Sequence, residues 1–200
     1  MPITLNGSGT ITGISVGGLP DGIVDTDMIA AGAVTAVKSS GRKILQVLTV
    51  VHTATVSTTG ITYVDTGLST SITPSSSSSK VLILVSQGYY ITRSTDQARG
   101  GFRLLRNTGS GFSVIEQGPN AGSGTEPNGL GKSTNLGGVT QFAGRYNLHI
   151  LDSPSTTNAT TYKTQFANAQ SSASPTIYVN SGTGSGEMGS GFMTLMEVTA

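Results

Sequence analysis

The stretch RYNLHI, residues 145–150, alternates polar and apolar side chains at every step. Successive side chains of an extended strand point to opposite faces, so this stretch has one apolar and one polar face. The stretch TYKTQF, residues 161–166, repeats the pattern, with Tyr162 and Phe166 opposed by Lys163 and Gln165. Both stretches are therefore predicted to be strands that place one face on a core and the other in solvent.

Similar strand-like segments, separated by Ser, Thr and Gly turns, precede and follow these two stretches along the chain. Strands are predicted at 44–56, 61–65, 68–73, 80–92, 101–106, 112–117, 139–151, 160–168, 176–180 and 191–199. No helical period competes over that range. Many short strands with frequent turns predict an all-β head, an antiparallel, jelly-roll-like β-sandwich over residues 44–200.

Three segments, 44–56, 81–85 and 192–198, depart from simple alternation because they carry apolar side chains on both faces. An outer strand face normally meets water, so a second apolar face indicates another covering surface. We interpret it as a contact between subunits, arranged around a three-fold axis. The alternative is an irregular core in a monomer, since exposed apolar groups alone are only suggestive.

Residues 1–43 differ in composition from the rest of the chain: β-branched residues are spaced by glycines and charges are few. Such a segment cannot bury its apolar groups against itself, and isolated short strands are unstable in water. We therefore expect an extended attachment arm with one short helix near 25–32. The residues expected to dock it are Ile11, Ile14, Val16 and Leu19.

Composition limits the function classes that this chain can serve. It has no Cys, two His, 10% charged residues and a formal net charge of +1. The cations are scattered rather than arranged in the basic stripe that neutralises phosphates, so nucleic acid is not an expected partner. The longest apolar run, at 81–85, is far shorter than a membrane span, so no membrane insertion is expected.

Motifs that could carry catalysis or metal binding each lack an essential part. The stretch GLGKST, residues 129–134, has Glu126 where a phosphate loop needs glycine. His149 has Asp152 nearby but no nucleophile motif. The acids at 21, 25 and 27 fit helix capping and turns better than calcium ligation. The sequence therefore predicts no enzyme, no metal site and no cofactor.

One surface candidate remains, in the segment that follows the strand at 80–92. Adjacent tyrosines in a strand point to opposite faces, so one of Tyr89 and Tyr90 is expected to face outward. An exposed ring beside charged loop residues could contact a sugar by stacking and hydrogen bonding. The residues of this candidate receptor contact are Tyr90, Arg93, Asp96 and Arg99. A turn with a solvated ion pair is the alternative.

Several motifs, in their order along the chain, together resemble a known class of proteins. The head contains YVDTGLS (63–69), ITPSSSSSKVLILVS (72–86), ATTYKTQFA (159–167), TIYVN (176–180) and TLMEV (194–198). These resemble the C-terminal β domain of tail-fibre and other virion appendage proteins of tailed bacteriophages. The arm GTITGISVGGLPDGIVDTDMIAAGAVT (9–35) resembles the N-terminal segment that such proteins carry.

The resemblance implies a homotrimer that docks to other virion proteins through residues 1–43 and presents its β head on the particle surface. It implies synthesis in the cytoplasm of the bacterial host and transfers no catalytic residue. No long shaft is visible between residues 37 and 44, so a short fibre or an appendage of the tail, baseplate or head is expected. The alternatives are a lectin-like module that reads a host surface glycan and a capsid decoration protein.

Overall fold

The computed structural model describes residues 43–92, 100–117, 141–168, 175–180 and 189–199. They belong to one compact unit, Arg42–Ala200. The arm predicted over residues 1–43, with its helix and its docking residues, lies outside this part of the chain apart from Lys43. The described residues form strands and connections only. Within them no helix is long and apolar enough to cross a membrane.

Ten strands make up the described part of the chain. They are β1 (Ile44–His52), β2 (Val56–Thr58), β3 (Val64–Ile72), β4 (Lys80–Thr92), β5 (Gly100–Asn107), β6 (Phe112–Gln117), β7 (Gln141–Asp152), β8 (Thr160–Asn168), β9 (Thr176–Val179) and β10 (Gly191–Val198). The bounds predicted for β4, β6 and β8 agree with those found. The all-β, antiparallel fold class is confirmed.

The strands pair into two antiparallel sheets that face each other. In the six-stranded sheet, β1 pairs with β10 and β2 pairs with β9. Both β10 and β9 pair with one side of the long strand β4, whose other side pairs with β7. This sheet is therefore four strand positions wide. The four-stranded sheet has the order β3-β8-β5-β6. Together these orders give the topology of an eight-position jelly roll, as the sequence predicted.

Two predicted strand boundaries are corrected by this pairing. The segment 44–56 is split after His52, because the strand beside it changes from β10 to β9. The segments 61–65 and 68–73 belong largely to one strand, β3, with a bulge between Asp65 and Ser69. Gly67 lies in that bulge with φ of +84°, and the ring of His52 lies against it. A left-handed backbone position next to an aromatic ring suits glycine, which has no side chain to clash.

The core fills the space between the sheets in two neighbouring clusters. One cluster contains Leu68, Ile72, Val81, Ile83, Val85, Leu104, Tyr162, Met193 and Leu195. The other contains Tyr89, Tyr90, Ile91, Phe102, Phe166, Ile177 and Val179. Phe102 stacks on Tyr146 at a centroid distance of 4.6 Å. Burial of these apolar side chains stabilises the fold by about 25 cal/mol for each Å² removed from water.

A buried polar network joins the two sheets where the end of β9 lies next to the start of β10. The side chain of Gln87 accepts a hydrogen bond from Thr164 at 2.9 Å and donates one to Asn180 at 2.9 Å. The amide of Asn180 donates to the carbonyl oxygens of Ala54 and Thr66. Since every polar side chain in this network is paired, the network orders the core without the cost of an unsatisfied group.

Candidate functional site: two outer faces of the sandwich

The outer face of the six-stranded sheet carries seven apolar and five polar side chains at the twelve positions that form its centre. Strand register places four side chains side by side in each of three rows across β1, β10, β4 and β7. The rows are Val51, Phe192, Ser86 and Asn147; Thr49, Thr194, Leu84 and His149; and Val47, Met196, Leu82 and Leu151. We call these positions the apolar face. None of them is Asp, Glu, Lys or Arg.

Large side chains of the apolar face are open to solvent in the single chain. Val47 is 53% exposed, Leu151 is 43% exposed and Phe192 is 42% exposed. The nearest cation is Arg145, whose guanidinium lies 5.8 Å from the ring centroid of Phe192 and donates to Ser86 and to the carbonyl oxygen of Ser190. Charge thus borders the face but does not enter its three rows.

The prediction that β1, β4 and β10 carry apolar groups on both faces is confirmed. The inner residues of β4 and β10, such as Ile83 and Leu195, are fully buried in the core. The outer residues of all three strands meet in one continuous surface, because the strands are neighbours in a single sheet. Sequence analysis missed the contribution of Leu151 in β7, although the alternation of that strand had already placed its odd-numbered residues outward.

The outer face of the four-stranded sheet differs in that it carries charged and amide side chains beside the exposed apolar Phe112 and Val114. Asp65, Gln165 and Arg103 stand in one row across β3, β8 and β5, with Lys163 one row away. The guanidinium of Arg103 donates twice to the amide oxygen of Gln165, at 2.8 and 2.5 Å. The amide nitrogen of Gln165 and the ammonium of Lys163 both donate to Asp65.

Two aromatic rings flank this row, and a cation lies over each of them. The guanidinium of Arg103 is 4.0 Å from the ring centroid of Tyr63, and the ammonium of Lys163 is 4.1 Å from that of Phe112. We call Tyr63, Asp65, Arg103, Phe112, Lys163 and Gln165 the polar face. The polar side of β8 was predicted, but this grouping was not. Its members come from three separate parts of the chain, at 63–65, 103–112 and 163–165, which only strand pairing brings together.

Electrostatics on the polar face favour the charged form of its carboxylate. Burial alone would raise the pKa of Asp65, but hydrogen bonds from Lys163 and Gln165, and the nearby charges, outweigh it and lower that pKa. Burial raises the pKa of Tyr63, and the charge of Arg103 only partly offsets this effect. Asp65 is therefore an anion and Tyr63 a neutral hydroxyl at neutral pH.

A second carboxylate, that of Glu197 in β10, is buried at one end of the core. One of its oxygens accepts hydrogen bonds from the backbone nitrogen and the hydroxyl of Ser75, and the other accepts from Gln46 at 2.6 Å. Burial raises the pKa of Glu197, but the hydrogen bonds from Ser75, Gln46 and Ser79 lower it to about 2. This arrangement fastens the serine-rich turn before β4 to the last strand.

The groups considered for catalysis are not brought together. His149 projects from the outer face of β7, while Asp152 accepts hydrogen bonds from Arg106 at 2.8 Å and from the hydroxyl of Tyr162 at 2.7 Å. Burial, followed by the bond to Asp152, raises the pKa of Tyr162. Within the described residues, no three His, Cys, Asp or Glu side chains form a group that could hold a metal ion.

The two adjacent tyrosines point to opposite faces of β4, as expected, but the expectation that one of them is exposed to solvent is wrong. Tyr89 packs inward against Phe102, and Tyr90, only 4% exposed, packs against Tyr178 across the neighbouring strand. Both rings are buried, so Tyr90 is not available at the surface of the single chain. The remaining members of that candidate contact, Arg93, Asp96 and Arg99, lie outside the described residues.

Comparison with solved structures gives likenesses at low identity, of which two are described. No protein-family model and no curated protein matches the chain. A chain in the structure of infectious bursal disease virus Gx strain is similar, with a TM-score of 0.36 and 14% identity over 76% of this chain and 40% of that chain. A chain of the Gt strain is similar with a TM-score of 0.37 and 15% identity, covering 76% and 38%. This chain thus spans about two fifths of the viral chains. Function does not follow from likenesses of this level.

Proposed function

We propose that this chain is a non-enzymatic structural protein of a tailed-bacteriophage virion, a homotrimeric short fibre or appendage of the tail, baseplate or head. The observation that carries this proposal is the apolar face, a charge-free surface that spans four strand positions. A face of this kind is stable in water when another protein surface covers it. The bacteriophage setting and the three-fold symmetry come from the resemblance of the head and arm segments.

A second copy of this chain fits the apolar face better than a charged partner does. The centre of a protein interface is depleted of charged residues, and the three rows contain none. Four strands about 4.8 Å apart and about five residues long give roughly 300–400 Å². That is about half of the ~800 Å² that one partner contributes to a standard interface. The exposed Ile44 and Leu45, next to the rows, extend the same surface.

In this proposal, residues 1–43 attach the trimer to other virion proteins, with Ile11, Ile14, Val16 and Leu19 as the apolar contacts. The head stands on the particle surface after synthesis in the host cytoplasm. A structural rather than catalytic role is supported by what the buried carboxylates do. Glu197 fastens a turn, and Asp152 bridges Arg106 and Tyr162 across the two sheets.

The oligomer is tested by light scattering on the full chain and on two variants that differ only in the face they change. Phe192→Asp and Val114→Asp each place a carboxylate at an apolar position, and the native side chains are 42% and 43% exposed. Phe192 belongs to the apolar face, whereas Val114 lies on the outer side of the other sheet. We expect a trimer for the wild type and for Val114→Asp, and a monomer for Phe192→Asp, because burying an unpaired charge costs several kcal/mol.

A monomeric wild type would contradict the proposal and favour a decoration module that is arranged only by the particle it sits on. The location is tested separately, by immunogold labelling of phage particles with an antibody against residues 43–200. Label on the particle surface is expected. Absence of label from intact and from disrupted particles would overturn the virion assignment.

A further inference from the structure

The two outer faces of the sandwich differ in a way that assigns them different partners. The apolar face contains no charged side chain, while the polar face contains Arg103, Lys163 and Asp65. If copies of the chain cover the apolar face, as proposed above, the polar face on the other sheet is turned away from that contact. It is then the sheet surface available to a ligand outside the assembly.

Charge on the polar face favours an anion. Two cations share one carboxylate, and that carboxylate, Asp65, pairs with Lys163 at 2.9 Å. Arg103 donates to a neutral amide and lies over a neutral ring; its charge also acts on Asp65, but no carboxylate among the described residues is within ion-pair distance of it. Its guanidinium therefore keeps a charge, and a nitrogen that is not used by Gln165, for a ligand carboxylate.

The chemistry around Arg103 is also held in position before any ligand arrives. The ring of Tyr63 supports one face of the guanidinium, and Gln165 fixes its edge with two hydrogen bonds. The hydroxyl oxygen of Tyr63 is buried and has no hydrogen-bond partner among the described residues. A preorganised cation loses little freedom on binding, so more of its interaction energy is available for affinity.

The remaining groups suit a sugar chain. Lys163 covers one face of the Phe112 ring, which is 43% exposed, so a pyranose can stack only on ring surface that Lys163 leaves uncovered. Asp65 already accepts hydrogen bonds from Lys163 and Gln165, but its side chain is 55% exposed, so its remaining lone pairs can accept from sugar hydroxyls. The face is the flat side of a sheet rather than a concave pocket of the kind that small molecules prefer. An extended polymer can contact all four strands, from β3 to β6, in one pose.

We propose that the polar face binds an acidic polysaccharide, a chain of sugars that carry carboxylates, with Arg103 as its main anion contact and Phe112 as its stacking ring. The inference rests on the proposed function for the outward orientation of this face. It names the class of partner that the assembled head would meet.

The test is calorimetric titration of the full chain with hexagalacturonate, a carboxylate-bearing hexasaccharide, and with its methyl ester, which has the same backbone without charge. We expect binding of the acid and at least about tenfold weaker binding of the ester. Arg103→Gln is expected to weaken binding about tenfold. Lys80→Gln removes the same charge on the other sheet, where Lys80 donates to Ser153, and is expected to bind as the wild type does.

Phe112→Ala is a second variant, chosen because loss of a surface ring should leave the protein folded. It is expected to weaken binding several-fold. No binding by the wild type, equal binding of acid and ester, or equal affinities of Arg103→Gln and Lys80→Gln would each overturn the inference. Light scattering on the same samples separates the two proposals. A trimer that binds no hexagalacturonate removes only the polysaccharide site, and a monomer that binds it removes only the assembly.

Discussion

At the scale of single residues, this fold depends on a few positions where the backbone conformation or a buried charge restricts which side chain fits. Gly67 and Glu197 are the clearest of them. Neither role follows from sequence pattern. The chain has 28 glycines, and nothing in the sequence marks Gly67 as the one that meets His52 or Glu197 as the acid that binds Ser75. What decides their role is tertiary packing: His52 and Gly67 lie in different sheets, and Glu197 meets a turn that precedes β4.

Gly67→Ala is expected to destabilise the head strongly, because a Cβ at that position would lie 2.2 Å from Nε2 of His52 and the backbone has φ of +84°. Backbone strain alone costs about 1–3 kcal/mol. Gly109→Ala is the matched control, since Gly109 has φ of +119° and no atom within 4 Å of its added Cβ. Urea unfolding should show a larger loss for Gly67→Ala than for Gly109→Ala. The loss of unfolding free energy caused by Gly67→Ala should be smaller when His52 is also replaced by Ala. An equal loss with and without His52 would show that no clash with His52 is involved.

Glu197→Gln is expected to lower the free energy of unfolding by about 1.5–3 kcal/mol at pH 7, because the hydrogen bonds of Ser75 and Gln46 are made to a charged acceptor. The folded pKa of about 2 is below the ordinary 4.5, so this stabilisation is fully present above about pH 4.5 and is lost as the pH falls through about 2. The gap between wild type and variant should therefore close in urea titrations from pH 5 to pH 2. A gap that does not depend on pH would show that packing, not charge, accounts for the loss.

At the scale of elements, the sequence predicted most strands because alternation and turn residues are local signals. The bounds of β4, β6 and β8 needed nothing else. The bulge that joins the two halves of β3, and the break between β1 and β2, were missed because each depends on which strand lies alongside. The same reason limits the site. Apolar residues on both faces of β1, β4 and β10 could be seen in the sequence, but their adjacency in one sheet could not.

At the scale of the whole molecule, the jelly roll places two surfaces of different composition on opposite sides of one core. One sheet presents the apolar face, and the other presents a row of charged and amide side chains between aromatic rings. In the proposed function, assembly and recognition each act through one of these extended surfaces, and the fold keeps the two surfaces on different sheets. It also implies that changes on one face leave the other intact, as the paired aspartate and glutamine variants above are designed to show.

Removal of residues 1–41 is expected to leave the trimer intact, because the described strands belong to the compact unit Arg42–Ala200 and the apolar face lies within it. The truncated chain should scatter light as a trimer and unfold at a temperature within a few degrees of the full chain. It should fail to enter particles when it replaces the full chain during phage growth, since the proposed attachment segment is missing. A monomeric truncated chain would indicate that the three-fold contact lies in the arm and not on the sheet face. Truncated chains found in particles would contradict the attachment role of the arm.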